Sequence, residues 1–197
     1  GTLDLRTPPS NAEEALARLM LSGEAKPVVA GVHYAGEPDL GMSASADLRQ
    51  LPSPYLYGTI KPQPFLRWET QRGCPFSCGF CQHRESDVSK TRRPFDSSRI
   101  NDEISFFAEN PIIQDIAVLD PVFNSGPSYM DVMRKFVNVG YTGKLSLQCR
   151  MEMVNDEFLD VVEALNKTGN VVLEFGLQTI HRNEEVHIQR PNNKKRI

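Results

Sequence analysis

The sequence contains no apolar run approaching the roughly 18 residues that a membrane-spanning helix needs. Its amino terminus lacks the basic-then-apolar pattern of a secretory signal, so a cytoplasmic location is expected. A formal net charge of −3 offers no field that would draw nucleic acid or an anionic membrane surface, and neither is expected as a partner. Internal repeats and low-complexity tracts are absent. Cysteine is scarce, with four among 197 residues, and three of the four fall within eight residues while Cys149 stands alone. A disulfide-stapled secreted domain would spread its cysteines over distant segments. The clustering points to a metal site.

What is present is the composition of an ordinary soluble protein, 40% hydrophobic and 24% charged, in a chain long enough to bury a sizeable core. Ser10 and Glu13 have the spacing of a capping box, in which each side chain satisfies a free backbone N–H. Ala12, Ala15, Leu16, Leu19 and Met20 then form an apolar helical face that Gly23 ends. Residues 28–32 read as a short buried strand. Residues 35–64 are rich in Gly, Pro and Ser, and Pro52, Pro54, Pro62 and Pro64 mark a connector with a domain boundary near residue 60.

Beyond the boundary the chain alternates. Strands are expected over residues 65–70, 113–119, 144–149 and 171–175. Helices are expected over 98–109, 128–139 and 156–165, with Gly140 stopping the second. Strands separated by helices of this length favour an α/β fold, a parallel sheet covered by helices.

The cysteines lie directly after the first of these strands, in Arg72-Gly73-Cys74-Pro75-Phe76-Ser77-Cys78-Gly79-Phe80-Cys81. Thiolates are soft ligands suited to iron–sulfur clusters and to zinc. Gly73 and Gly79 permit the tight turns that let three sulfurs converge. Ordinary electron-transfer clusters take four cysteines, so three local ones leave one iron open to bind something else. Two other readings stay open. His83 would complete a three-cysteine, one-histidine zinc tetrahedron. Cys149 as a fourth ligand would make a plain electron carrier, although a lone strand cysteine is more often a small buried hydrophobe.

The C-x3-C-x2-C spacing, with Phe80 before the last cysteine and a strand before the first, resembles the signature of the radical S-adenosylmethionine (SAM) superfamily. The resemblance implies a 4Fe-4S cluster held by Cys74, Cys78 and Cys81. It also implies an open iron that chelates the amino and carboxylate groups of SAM, and cleavage of SAM to a 5′-deoxyadenosyl radical. Phe80 would sit beside the adenine.

In such folds ligands bind at the carboxyl ends of the parallel strands. The second strand runs into Asp120-Pro121-Val122-Phe123-Asn124, where many family members carry Gly-Gly-Glu. Asp120 is the acidic residue left to meet the SAM amino group, unless it merely caps the turn before Pro121. The third strand ends Gln148-Cys149-Arg150. The fourth runs through Glu174 into Gly176-Leu177-Gln178, similar to the family's Gly-Leu-Gln-Ser stretch. By that likeness Gln148 and Gln178 reach the ribose or methionine part of SAM, and Arg150 pairs with its carboxylate through a planar fork.

Leu51-Pro52-Ser53-Pro54-Tyr55-Leu56 resembles the linker that joins a cobalamin-binding domain to a radical SAM barrel. The Asp120–Asn124 stretch and Ile188-Gln189-Arg190-Pro191-Asn192-Asn193 are similar to the same subclass. The resemblance therefore implies a fragment of an α/β domain, residues 1–45 being the tail of a cobalamin-binding-like domain and 46–64 a linker. Residues 65–197 would form a partial (β/α) barrel of parallel strands. That barrel would be incomplete at its carboxyl end, because the family has six strand–helix units and this chain reaches four. The cobalamin motif D-x-H-x-x-G is absent, and His33 is not its match. The reaction implied is cobalamin-dependent methyl transfer or another radical step, on a small-molecule or peptide substrate. A low-potential donor such as flavodoxin or ferredoxin would supply electrons. Arg84, Lys90, Arg92, Arg93 and Arg99 read either as its docking patch or as a solvated surface. A non-catalytic zinc or electron-carrier module remains the alternative.

Overall fold

The computed structural model describes residues 18–29, 32–38, 47–81 and 92–190. The chain divides into two compact units, Gly1–Pro52 and Ser53–Ile197. In the first unit residues 18–21 are helical, and Gly23 follows with φ +68°. The Ser10–Glu13 capping box lies outside the described residues. The strand expected over 28–32 is not found at its described positions, Val28, Val29 and Val32, and Val28 is 70% exposed. Pro27 supplies no N–H just before this run. Among the described residues no strand pairs with Val28, Val29 or Val32, and a ladder needs a partner.

The second unit begins its sheet with β1 (Phe65–Trp68). Next come β2 (Gln71–Arg72), β3 (Arg93–Pro94), α1 (Ser97–Glu109) and β4 (Asp115–Val118). They are followed by α2 (Tyr129–Asn138), β5 (Lys144–Cys149), α3 (Asp156–Asn166), β6 (Asn170–Phe175) and α4 (Arg182–His187). The main sheet has the order β1-β4-β5-β6, and every pairing in it is parallel. This matches the strand–helix alternation of the sequence. Each joining helix is positioned by its ends: Asp96 accepts from the Ser98 and Arg99 amides at the start of α1, and Asn155 accepts from the Phe158 amide at the start of α3. Gly140, with φ +63°, closes α2 in the left-handed turn that glycine adopts at least cost.

Alternation along the strands divides the sheet into two faces. Leu66, Trp68, Ile116, Val118, Leu145, Leu147 and Cys149 are buried beneath the helices. Trp68 lies at the centre, edge-on to Phe107 at 5.5 Å and to Phe136 at 5.7 Å. Its indole N–H donates to Glu103 Oε2 at 2.7 Å. Arg99 pairs with the same buried carboxylate at 3.0 Å and stacks on Phe95 at 4.3 Å, so the charge is compensated. On the opposite face one row of the register carries Arg67, Ala117, Ser146 and Val172, and Gln148 faces Glu174 beyond it; none of these is buried. Such a face is available for ligands.

Neither α4 nor the pairing of β2 with β3 was expected from the sequence. β2 and β3 form a small antiparallel ribbon, Gln71 opposite Pro94 and Arg72 opposite Arg93. The ribbon draws together the two ends of residues 73–92 at the carboxyl end of β1, which is where the cysteines are.

Candidate metal and cofactor centre

The cysteine loop is fastened at its root by Asp120. One carboxylate oxygen accepts from the Thr70 and Gln71 amides at 2.9 and 3.3 Å, and the other accepts from the Thr70 hydroxyl. Asp120 has no exposed surface. Burial pushes its carboxyl up to about 6, against the opposing pull of the hydrogen bonds from Thr70 and Gln71. The side chain expected to meet SAM is thus bonded to the strand-to-loop junction at Thr70 and Gln71, not to the turn before Pro121.

Gly73, with φ +94°, bends the chain into the loop, and the Cys81 amide donates to the Cys78 carbonyl at 3.0 Å. All three cysteines are free thiols, Cys78 buried and Cys74 and Cys81 half-buried. Burial raises the Cys74 thiol first. The charges of Cys78 and Cys81 push the same way, while the Phe76 amide and Arg92 oppose. Cys74 therefore feels the thiols of both Cys78 and Cys81. Among the described residues, no three His, Cys, Asp or Glu side chains are gathered to hold a single metal ion. Three neighbouring soft donors are the set an iron–sulfur cluster uses.

Cys149 does not join them. It shares the helix-covered face of β5 with Leu145 and Leu147, and it is 5% exposed. Burial pushes its thiol up to about 12, and the Asn124 backbone lowers it only in part. It is the small buried hydrophobe that a lone strand cysteine usually is.

Arg150 is engaged within the protein. Its guanidinium lies 3.9 Å from the Phe76 ring centroid, inside the cysteine loop, and its Nε donates to Glu152 Oε1 at 2.6 Å. Its backbone forms a reciprocal pair with Asn124: the amide donates to Asn124 Oδ1 and the carbonyl accepts from Nδ2, both at 2.9 Å. The ends of β4 and β5 are thereby locked together behind the loop. Gln148 is exposed on the other face of β5.

Phe80 and Gln178, far apart in the chain, come together. They line an open cleft of about 510 Å³ with Thr179, Asn183, Glu184 and His187. The turn after α4 closes toward this cleft, where the Gly79 amide donates to the Ile188 carbonyl at 2.6 Å.

Phe76, Thr70 and Arg190 were not singled out from sequence. Asn124 and Arg190 lay inside stretches already noted, but Phe76 carried no signal beyond being aromatic. Of the basic residues near the loop, Arg99 is committed to Glu103 and Phe95, and Arg92 donates to Ser125 Oγ at 2.8 Å. Arg84 and Lys90 lie outside the described residues. No described helix is long and apolar enough to cross a membrane.

Comparison with known proteins agrees with this geometry. The family model described as the radical SAM superfamily matches residues 68–197. A 2-(S-pantetheinyl)-carbapenam-3-carboxylate methyltransferase of Streptantibioticus cattleyicolor is 38% identical over 95 residues, 43% of this chain and 14% of that protein. The cobalamin-dependent radical SAM methyltransferase TokK of Streptomyces tokunonensis is 34% identical over 91 residues, 41% of this chain and 13% of that protein. The matches thus span about a seventh of these relatives' length. TsrM from Kitasatospora setae, a radical SAM methyltransferase solved with tryptophan and a SAM analogue, superposes with a TM-score of 0.55 at 16% identity. That match covers 66% of this chain and 25% of TsrM. The same enzyme solved with cobalamin and a 4Fe-4S cluster gives 0.53 at 17% identity, covering 64% and 24%. The likeness to TsrM is one of fold, a partial (β/α) barrel. On its family match, the chain belongs to the radical SAM superfamily.

Proposed function

We propose that this chain is the cluster- and SAM-binding segment of a cobalamin-dependent radical SAM methyltransferase that acts on a small molecule. The observation that carries this reading is the overlap of the family match with a loop bearing three free, neighbouring thiols, while Cys149 is buried against the helices. Methyl transfer is supported by the two curated relatives, both methyltransferases, one of them named as cobalamin-dependent.

Cys74, Cys78 and Cys81 hold the cluster. When bound, the cluster offers an open iron to the amino and carboxylate groups of SAM and supplies the electron that cleaves its sulfonium to a 5′-deoxyadenosyl radical. Phe80 and Gln178 hold the nucleoside side of SAM in the cleft they share, and Gln148 reaches it from the exposed face of β5. Asp120 and Arg150 act one step back. Asp120 sets the start of the loop through Thr70, and Arg150 steadies its middle through Phe76. No residue of this chain is assigned to cobalamin. A low-potential donor such as flavodoxin or ferredoxin in the cytoplasm would supply the electron.

Anaerobic reconstitution tests this. The protein is expected to turn brown and to hold about four irons and four sulfides per chain. Adding SAM is expected to change the electron paramagnetic resonance spectrum of the reduced cluster. Stoichiometric zinc without visible absorbance would defeat the reading, and a cluster indifferent to SAM would make the chain an electron carrier.

A further inference from the structure

Arg190 stands where three separate parts of the barrel segment meet. Its Nη1 lies 3.8 Å from Cys78 Sγ, its Nη2 donates to the Gly176 carbonyl at 2.6 Å, and its amide donates to the Glu185 carbonyl at 3.0 Å. The chain reaches this point through Gln189, whose φ of +51° is a left-handed turn that a non-glycine residue adopts only at a cost. The same turn delivers the Ile188 carbonyl to the Gly79 amide, next to Cys78. The strained turn therefore has a local product, a guanidinium held against the middle cysteine from the end of β6. Among the described residues, the Arg190 Nε is buried without a hydrogen-bond partner, so the group is placed by its two terminal nitrogens.

A fixed N–H donor and positive charge beside a ligating sulfur favour the more negative, reduced form of a cluster. Arginine suits the task because its rigid fork presents two donors in fixed directions, one for a carbonyl and one for a sulfur. We propose that Arg190 is a positioning residue for the iron–sulfur cluster: anchored on the Gly176 carbonyl, its guanidinium donates to the Cys78 sulfur and raises the cluster's reduction potential. This rests on the reading of Cys78 as a cluster ligand.

The test is an anaerobic redox titration of the reconstituted chain, followed by electron paramagnetic resonance, for wild type, Arg190→Met and Arg190→Lys. At the wild-type midpoint, Arg190→Met is expected to show about a tenfold lower ratio of reduced to oxidised cluster, equivalent to 59 mV for one electron. Arg190→Lys keeps the charge but cannot reach both partners, and is expected to fall between the two. Should Arg190→Met fail to hold iron, Arg190→Lys carries the measurement. Unchanged midpoints in variants that keep their iron would overturn the proposal. So would loss of iron from both variants with intact secondary structure, because Arg190 would then be a scaffold for the loop alone. A wild-type chain that takes up no iron would instead defeat the cluster reading itself.

Discussion

The guanidinium of Arg150 lies 3.9 Å from the centre of the Phe76 ring, so the end of β5 grips the cysteine loop between Cys74 and Cys78. Arg150 is 4% exposed, which removes most of the water that would weaken such a contact. Replacing Phe76 with leucine keeps every sulfur and most of the apolar volume but removes the ring. Stability is expected to fall by about 1–2 kcal/mol in denaturant unfolding. Iron is also expected to leave faster to a chelator. Unchanged release rates would mean that the stacking does not restrain the loop.

Asp120 makes a prediction about pH. Its ordinary value is 3.8, and burial raises it to about 6 in the folded protein. The native state therefore holds this proton more tightly than the unfolded chain does. The stability this confers is complete below pH 3.8 and is lost as pH rises through about 6. Asparagine cannot titrate yet can still accept from the Thr70 and Gln71 amides. Between pH 4 and 7, Asp120→Asn is expected to gain on wild type by up to about 3 kcal/mol, from two units at 1.36 kcal/mol each. A difference that stays flat with pH would contradict the assignment.

Cys78 and Cys149 are both buried but differ in place, one in the loop with Cys74 and Cys81 and the other on β5. Cys78→Ala is expected to abolish cluster binding. Cys149→Ala should keep full iron content and cost only about 1 kcal/mol of stability, as an ordinary buried substitution does. Iron and sulfide analysis of the two variants side by side checks this, and loss of iron from the Cys149 variant would revive the electron carrier.

Much of this was legible because it is local. The strand–helix alternation predicted every strand of the main sheet to within a few residues, β5 over residues 144–149 without error. The cysteine spacing pointed to the family because its pattern lies within one short loop. What stayed hidden depends on partners from other segments. Strand-end position marked Asp120 and Arg150 as near the site, but only the folded chain supplies Thr70 to one and Phe76 and Glu152 to the other. Phe80 and Gln178, nearly a hundred residues apart, line one cleft. The β2–β3 ribbon is two residues per strand, too short to show a period. Residues 28–32 had the composition of a strand, but among the described residues Val28, Val29 and Val32 pair with no neighbour.

Gln178 should matter for SAM and not for iron. Gln178→Ala removes one amide from the cleft it shares with Phe80. SAM affinity is expected to weaken by about tenfold, the loss of roughly 1.4 kcal/mol that one hydrogen bond can carry. Calorimetric titration of the reconstituted protein measures it. Equal affinity with equal iron content would move SAM out of this cleft.

The central claim is that the three thiolates leave one iron free for the methionine end of SAM. Electron–nuclear double resonance on the reduced cluster, with SAM labelled by 15N at its amino group, tests it most directly. A hyperfine coupling from the labelled nitrogen is predicted, and a reduced cluster that shows none in the presence of saturating SAM would contradict the account.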